Sequence, residues 1–173
     1  MSNEIVNRVA KSKLKTIDLS EYKPSINIYP LDIKDFLYKD LILKEAFFKQ
    51  KLNEFDFKFY KNRIVALSCS VETIIPMWAY MLIVSRLELE NSTVYFGKEK
   101  FVEETLFVNE INKIDGKKFK GQSVLVKGCS NIEIPESIYI EITKKLHPFV
   151  KNLMFGEACS FVPVFKRKSN TIK

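Results

Sequence analysis

The sequence repeats itself at a spacing of 59 residues, and this repeat constrains the fold more than any other feature. In the first block, Glu45, Phe48, Asn53, Asp56, Lys58 and Lys61 match Glu104, Phe107, Asn112, Asp115, Lys117 and Lys120. Later matches are Ile75, Pro76, Tyr80, Ile83 and Leu87 with Ile134, Pro135, Tyr139, Ile142 and Leu146, and Phe96-Gly97 with Phe155-Gly156. Two unrelated units would share polarity but not identical residues at fixed places, so we predict two similar copies, residues 44–98 and 103–157.

Each copy has the pattern helix, strand, helix, strand. A proline, Pro76 or Pro135, precedes the second helix, where its missing N–H has no intrahelical partner. The predicted elements are helices at 43–55 and 101–114, strands at 63–69 and 123–129, helices after the two prolines, and closing strands at 93–97 and 152–156.

Strands that alternate with helices predict an α/β fold, a three-layer Rossmann-like parallel sheet made of the two pseudo-repeats. We expect four strands in the order 2-1-3-4, with the first strands of the two copies adjacent and helices on both faces. The helix after Pro76 is apolar nearly all round, which predicts that it is buried and that Trp78 lies mostly out of solvent.

The 173 residues predict a single domain, 1–173, with an N-terminal arm at 1–43 and a basic C-terminal tail at 164–173. Two β-rich runs in the arm, 16–19 and 26–29, are either edge strands or part of a packed arm. The run Phe161–Phe165 contains a proline and is expected to extend one edge of the sheet.

The formal net charge of +7 is concentrated in the tail, where Lys166, Arg167, Lys168 and Lys173 occur without an acid. Only four of the 28 basic residues are arginine, and bidentate reading of bases favours arginine. We therefore predict no specific nucleic-acid partner.

The sequence lacks a basic start followed by an apolar run, and no apolar stretch approaches the roughly 20 residues that span a bilayer. These features predict a cytoplasmic protein without a membrane partner. The three cysteines, an odd number, fit a reducing compartment.

Most standard sites are excluded. The five glycines form neither a dinucleotide nor a phosphate-loop fingerprint. The single histidine, His147, is interpreted as a solvated or capping residue near a helix C-terminus.

The candidate site consists of three Cys-Ser pairs: Cys69-Ser70, Cys129-Ser130 and Cys159-Ser160. In the repeat, Cys69 and Cys129 follow equivalent strands, and ligands of parallel sheets bind at the carboxyl ends of strands. Cys69, Cys129 and Cys159 are therefore candidate metal ligands, with Glu157 as a possible fourth ligand. Buried cysteines that act as small apolar residues are the alternative.

The segments Cys69–Leu82, Lys127–Ser130 and Phe155–Pro163 resemble the Bacteroidetes domain-of-unknown-function family 2480 over nearly the whole chain. The family has no established activity, so the resemblance implies no catalytic residues. It implies a genomic neighbourhood of iron–sulfur assembly genes, and thus a metal ion or iron–sulfur cluster as cofactor and iron–sulfur assembly proteins as partners.

Two hypotheses follow. The first is a non-catalytic accessory, scaffold or carrier protein linked to iron–sulfur cluster or sulfur metabolism through Cys69, Cys129 and Cys159. The second is a thiol-dependent enzyme with Cys129 or Cys69 as nucleophile. A nucleophile needs a base, and the sequence offers none, so the first is favoured. The catalytic residues are unknown, and a homo-oligomer is compatible with both hypotheses.

Overall fold

The computed structural model of the chain describes residues 14–128, 132–157 and 159–168. Seven strands run β1 (Leu14–Asp18), β2 (Ile28–Asp32), β3 (Ile64–Ser68), β4 (Thr93–Phe96), β5 (Ser123–Lys127), β6 (Asn152–Glu157) and β7 (Ser160–Lys166). Four helices run α1 (Glu45–Glu54), α2 (Met77–Glu88), α3 (Glu99–Asn112) and α4 (Glu136–Leu146). The α/β class with parallel strands, predicted from the alternation of elements, is confirmed.

The chain divides into two compact units. The continuous unit spans Ser25–Thr105, and the discontinuous unit combines the described residues up to Pro24 with those from Leu106 onward. The continuous unit holds a three-stranded parallel sheet in the order β2-β3-β4. The discontinuous unit holds the order β1-β5-β6-β7, in which only the β6–β7 pair is antiparallel.

The prediction of one four-stranded sheet in the order 2-1-3-4 is wrong. The central strand β3 pairs with β2 on one side and with β4 on the other, and β5 likewise lies between β1 and β6. Each backbone edge of a strand can serve one neighbour only, so β3 and β5 cannot also pair with each other. The segment expected as an arm supplies the two extra strands, and both are edge strands.

Each central strand buries three consecutive side chains, and this explains its continuous apolar sequence. These side chains are Val65, Ala66 and Leu67 in β3 and Val124, Leu125 and Val126 in β5. Successive side chains of a strand point to opposite faces, so both faces of each central strand are closed to solvent.

In both units the two helices pack on the same face of the sheet. The core of the discontinuous unit joins Phe107 of α3, Ile142 of α4 and Val126 of β5. The core of the continuous unit joins Phe48 of α1, Ile83 of α2 and Leu67 of β3 in the same way. The two clusters cover one face of each sheet, so helices on both faces stay a prediction.

Helix α2 is only half-buried, contrary to the prediction. Ala79, Ile83 and Leu87 are fully buried, whereas Met77 and Met81 are each 71% exposed. Trp78 packs partly against the core, with its ring 5.7 Å from that of Phe48. A helix that is apolar all round can thus bury a single stripe, and the sequence does not show which stripe that is.

Candidate functional site

In the continuous unit, polar side chains lie at the carboxyl ends of the parallel strands β2 and β3. Strand β2 ends at Asp32 and β3 ends at Ser68, and these two residues lie opposite each other in the register. Asp32 Oδ1 accepts hydrogen bonds from the backbone N–H of Lys34 at 2.9 Å and of Ser70 at 3.0 Å. One carboxylate therefore caps the 3₁₀ turn after β2 and fastens the loop after β3.

These hydrogen bonds favour the ionised form of the Asp32 carboxyl. Burial raises the pKa of the Asp32 carboxyl, but hydrogen bonds from the Ser70 hydroxyl and from the Lys34 and Ser70 backbone outweigh it. The pKa is consequently held below its ordinary value, because each of these donors stabilises the ionised form.

Cys69 lies directly after β3 and is half-buried. Its thiol donates a hydrogen bond to the carbonyl oxygen of Val71 at 3.4 Å. Tyr80 of α2 lies nearby; burial raises the pKa of its hydroxyl, and Cys69 raises it further. The Tyr80 ring packs edge-on against Phe96 at 5.8 Å. The Cys69 thiol thus has a backbone acceptor and lies near an aromatic residue.

The discontinuous unit builds its strand ends in a related way. Strand β1 ends at Asp18, opposite Lys127 at the end of β5. Asp18 Oδ1 accepts from the Ser20 backbone at 3.0 Å and from the Ser20 hydroxyl at 2.6 Å. These two bonds hold the pKa of the Asp18 carboxyl below its ordinary value, and the nearby Lys127 contributes in the same direction.

Glu157, a predicted ligand, is already paired. At the end of β6 its Oε2 lies 2.8 Å from Nζ of Lys127. Tyr139 of α4 packs edge-on against Phe155 at 5.6 Å, and its hydroxyl lies where a side chain on Gly128 would begin. A Cβ at 128, immediately before Cys129, would therefore require the Tyr139 ring to move.

The remaining predicted site residues are distributed as follows. Ser70 contacts Asp32 through its backbone, Cys159 is exposed in the hairpin between β6 and β7, and Ser160 pairs with Glu157 at the start of β7. Cys129 and Ser130 lie outside the described residues. Cys69 belongs to the continuous unit and Cys159 to the discontinuous one.

Sequence reasoning missed the two aspartates, although a signal was present. Both aspartates lie in the same six-residue pattern: an apolar residue, Asp, an apolar residue, a polar residue, an acidic residue and an aromatic residue. The pattern occurs at residues 17–22 and again at residues 31–36. This motif lies before the 59-residue repeat and recurs at a spacing of 14, so a search at the longer spacing does not find it.

The described residues do not by themselves form a metal centre. Across residues 14–128, 132–157 and 159–168, no three His, Cys, Asp or Glu side chains group closely enough to hold a metal ion. His147 caps the C-terminus of α4, as its position in the sequence predicted, and its ring lies 4.1 Å from that of Phe165.

In both α/β units, polar residues end the paired parallel strands. Comparison with known families is specific: the model of the family described as "Protein of unknown function (DUF2480)" matches residues 3–167. The chain belongs to this family, which confirms the family resemblance seen in its motifs, whereas the attribution to Bacteroidetes stays a prediction. No curated protein and no solved structure matches it. No helix in the described part of the chain is long and apolar enough to cross a membrane.

Replacing Asp32 with alanine is expected to destabilise the continuous unit by about 1–2 kcal/mol at pH 7, the usual cost of losing a capping side chain. Because its pKa is lowered in the folded state, Asp32 contributes stability above the ordinary value of 3.8, and this contribution is lost as the pH falls through the folded pKa. Urea unfolding of Asp32→Ala and wild type should therefore converge at low pH. The exposed Asp35→Ala variant is the control, and a difference that persists unchanged at pH 2 would contradict this account.

Proposed function

We propose that this protein is a non-catalytic accessory protein, a scaffold or carrier, rather than an enzyme. The observation that supports this is the use of polar groups at the strand ends. Asp32, Asp18 and Cys69 each bind backbone groups of adjoining loops, and these contacts fix the loops. A general acid or base needs a polar atom directed at a substrate proton, and these side chains have backbone partners instead.

The more specific part of the proposal links the protein to iron–sulfur cluster or sulfur metabolism through Cys69, Cys129 and Cys159. Its support is the position of Cys69 directly after the central strand, at the sheet edge where ligands of parallel sheets bind. Cys129 follows the other central strand in the sequence. The metal or cluster would be cargo bound by thiolates, because the described residues supply no closed ligand set.

We also propose that the two units are copies of one ancestral unit in a cytoplasmic protein. The identities at the 59-residue spacing support this, as do the similar element orders of strand, helix, strand, helix and strand. The proposal is compatible with a homo-oligomer, in which a second copy of the chain would supply a further ligand to the thiol site.

Anaerobic titration with Co²⁺ tests the thiol proposal, because cobalt bound to thiolate absorbs strongly. We expect stoichiometric binding by the wild type, and its loss in both Cys69→Ser and Cys129→Ser. Ser70→Ala is a matched control that alters the same loop without removing a thiol. Unchanged stoichiometry in both cysteine variants would leave the cysteines as packing residues and overturn the carrier role.

The alternative, a thiol-dependent enzyme with Cys129 or Cys69 as nucleophile, makes a different prediction. An activated thiol reacts ahead of its neighbours. Substoichiometric iodoacetamide followed by peptide mass spectrometry would then label one of these two cysteines almost alone. Under the accessory role we expect the exposed Cys159 to be labelled first.

A further inference from the structure

Strand β7 is the outer strand of the discontinuous unit's sheet and changes from apolar to basic along its length. Among the described strands, β6 is its only partner. Its first half exposes Val162 at 64% and Val164 at 53%. Lys166, Arg167 and Lys168 follow at its end. With Phe161, which is 46% exposed, three large apolar side chains of this edge strand are exposed directly before three cations, an unusual combination on a free surface.

An apolar groove of about 540 Å³ lies beside the first half of β7. Val162 and Val164 form its outer side, and α4 contributes Tyr139 and Thr143. The other lining residues, Val126, Ile142, Leu153, Met154 and Phe155, belong to α4, β5 and β6. The groove therefore exists because β7 extends the sheet beyond the part that α4 covers.

A basic groove of about 1070 Å³ lies at the other end of β7. Its cations are Lys120, Lys151, Lys166, Arg167 and Lys168, and none of the described residues that line it is acidic. Pro148, Phe149 and Gly121 complete the lining. The cations come from three separate segments that the sheet brings together, so the tail alone does not account for this charge.

The arginine of this groove is already engaged. Its guanidinium donates to the carbonyl oxygens of His147 at 2.8 Å, Pro148 at 2.9 Å and Val150 at 3.2 Å. Arg167 thus fastens the end of β7 to the turn after α4. The anion-binding capacity belongs to the four lysines.

Those lysines differ from others on the surface. Lys49, Lys113 and Lys144 each place Nζ 2.6 Å from a glutamate three or four residues earlier in the chain. Within the described part of the chain, none of the four groove lysines forms such an ion pair. Four clustered like charges repel one another, and an anionic partner would relieve that repulsion.

We propose that β7 and its two grooves form a docking site for an extended segment of a partner protein, in which apolar side chains adjoin acidic ones. The apolar side chains would fill the groove beside Val162 and Val164, and the carboxylates would contact Lys166, Lys168, Lys151 and Lys120. The distance from Val162 to Lys168 fits about seven extended residues at about 3.3 Å each. Since Pro163 has no N–H to donate, recognition rests mainly on side chains.

A nucleic acid fits this surface less well. The groove has no free guanidinium to read bases, and a phosphate backbone offers nothing apolar to fill the adjoining groove. The docking site goes beyond the thiol proposal and does not depend on it, because neither described cysteine, Cys69 or Cys159, lines either groove.

The test is a selection of random 12-residue peptides displayed on phage, made against the whole protein. Selected peptides should carry two or more acids next to apolar residues. The best peptide, made with a fluorescent label, is then measured by anisotropy against the variant with Gln at Lys120, Lys151, Lys166 and Lys168. We expect at least about a tenfold loss of affinity, since four rim charges each contribute a modest attraction.

Two control variants separate this site from general charge. The first control combines Lys49→Gln, Lys51→Gln, Lys113→Gln and Lys144→Gln. It removes the same charge elsewhere on the surface and should change the affinity for the peptide less than about twofold. Val162→Thr with Val164→Thr keeps the side-chain shape and should weaken binding through the apolar groove.

Equal losses in both lysine variants would show that net charge alone attracts the peptide, and would overturn the site. Selection of peptides without acids would do the same. A 12-residue oligothymidylate that binds more tightly than the peptide, and loses binding in the groove variant only, would assign the surface to single-stranded nucleic acid instead.

Discussion

Replacing Phe107 with alanine is expected to destabilise the protein by about 3–5 kcal/mol, the usual cost of removing a fully buried phenylalanine. Phe107 of α3 is 1% exposed and packs in the core that also holds Ile111, Val124 and Ile138. Alanine would leave a cavity among residues of two helices and a strand, and these elements can close it only by moving together. Urea unfolding followed by circular dichroism measures the loss.

The matched substitution in the continuous unit is Phe48→Ala, at the equivalent position of the repeat, where the side chain is 0% exposed. We expect a loss in the same range. Ile140→Ala is the control, because this α4 residue is 59% exposed and should change stability by less than about 1 kcal/mol. A loss below about 1 kcal/mol for Phe107→Ala would show that the core is not packed as described.

Adding one methyl group at Gly116 is expected to cost about 3 kcal/mol, at the upper end of overpacking effects. A Cβ there would lie 2.2 Å from the carbonyl oxygen of Lys145 and 2.7 Å from the ring of Phe149. The 3₁₀ turn that begins at Gly116 lies directly against the C-terminal end of α4, so backbone and not a flexible side chain must move.

Two comparisons make this prediction specific. Gly121→Ala meets no atom within 4 Å, so only its φ of +71° opposes alanine, at a cost of about 1–2 kcal/mol. Phe149→Ala removes the ring but not the Lys145 carbonyl, so it should fail to rescue Gly116→Ala. Urea unfolding of the variants decides between them; a Gly116→Ala protein as stable as the wild type would contradict the contact.

The same position shows how the two units differ. The 59-residue spacing aligns Gly116 with Phe57, which is buried in the continuous unit and packs 4.8 Å from the Phe55 ring. In the discontinuous unit the ring of Phe149 lies against the glycine instead. An aromatic ring therefore lies next to both 3₁₀ turns, but it comes from a different part of the chain. An alignment of identities reports this site only as a mismatch.

The proposed docking site also depends on elements that the repeat does not contain. Strand β7 follows the second copy in the chain, and the continuous unit has no counterpart among its described strands. The sequence predicted β7 as an edge extension, which is confirmed, and located its basic end. It did not show that Lys120 and Lys151 join that end, because segments distant in the sequence meet there only in the folded sheet.

The sequence by itself determined the strands and helices between residues 43 and 166, though not β1 and β2, because side-chain periodicity and proline position act within a few residues. The predicted strand at 63–69 is β3, and the helix expected after Pro135 is α4. Only the tertiary structure decided which strands are neighbours, since a strand edge offers the same N–H and C=O groups to every possible partner. The pairing of β2 with β3 and of β1 with β5 separated the copies into two sheets and brought Asp32 and Asp18 to the strand ends beside Ser70 and Lys127.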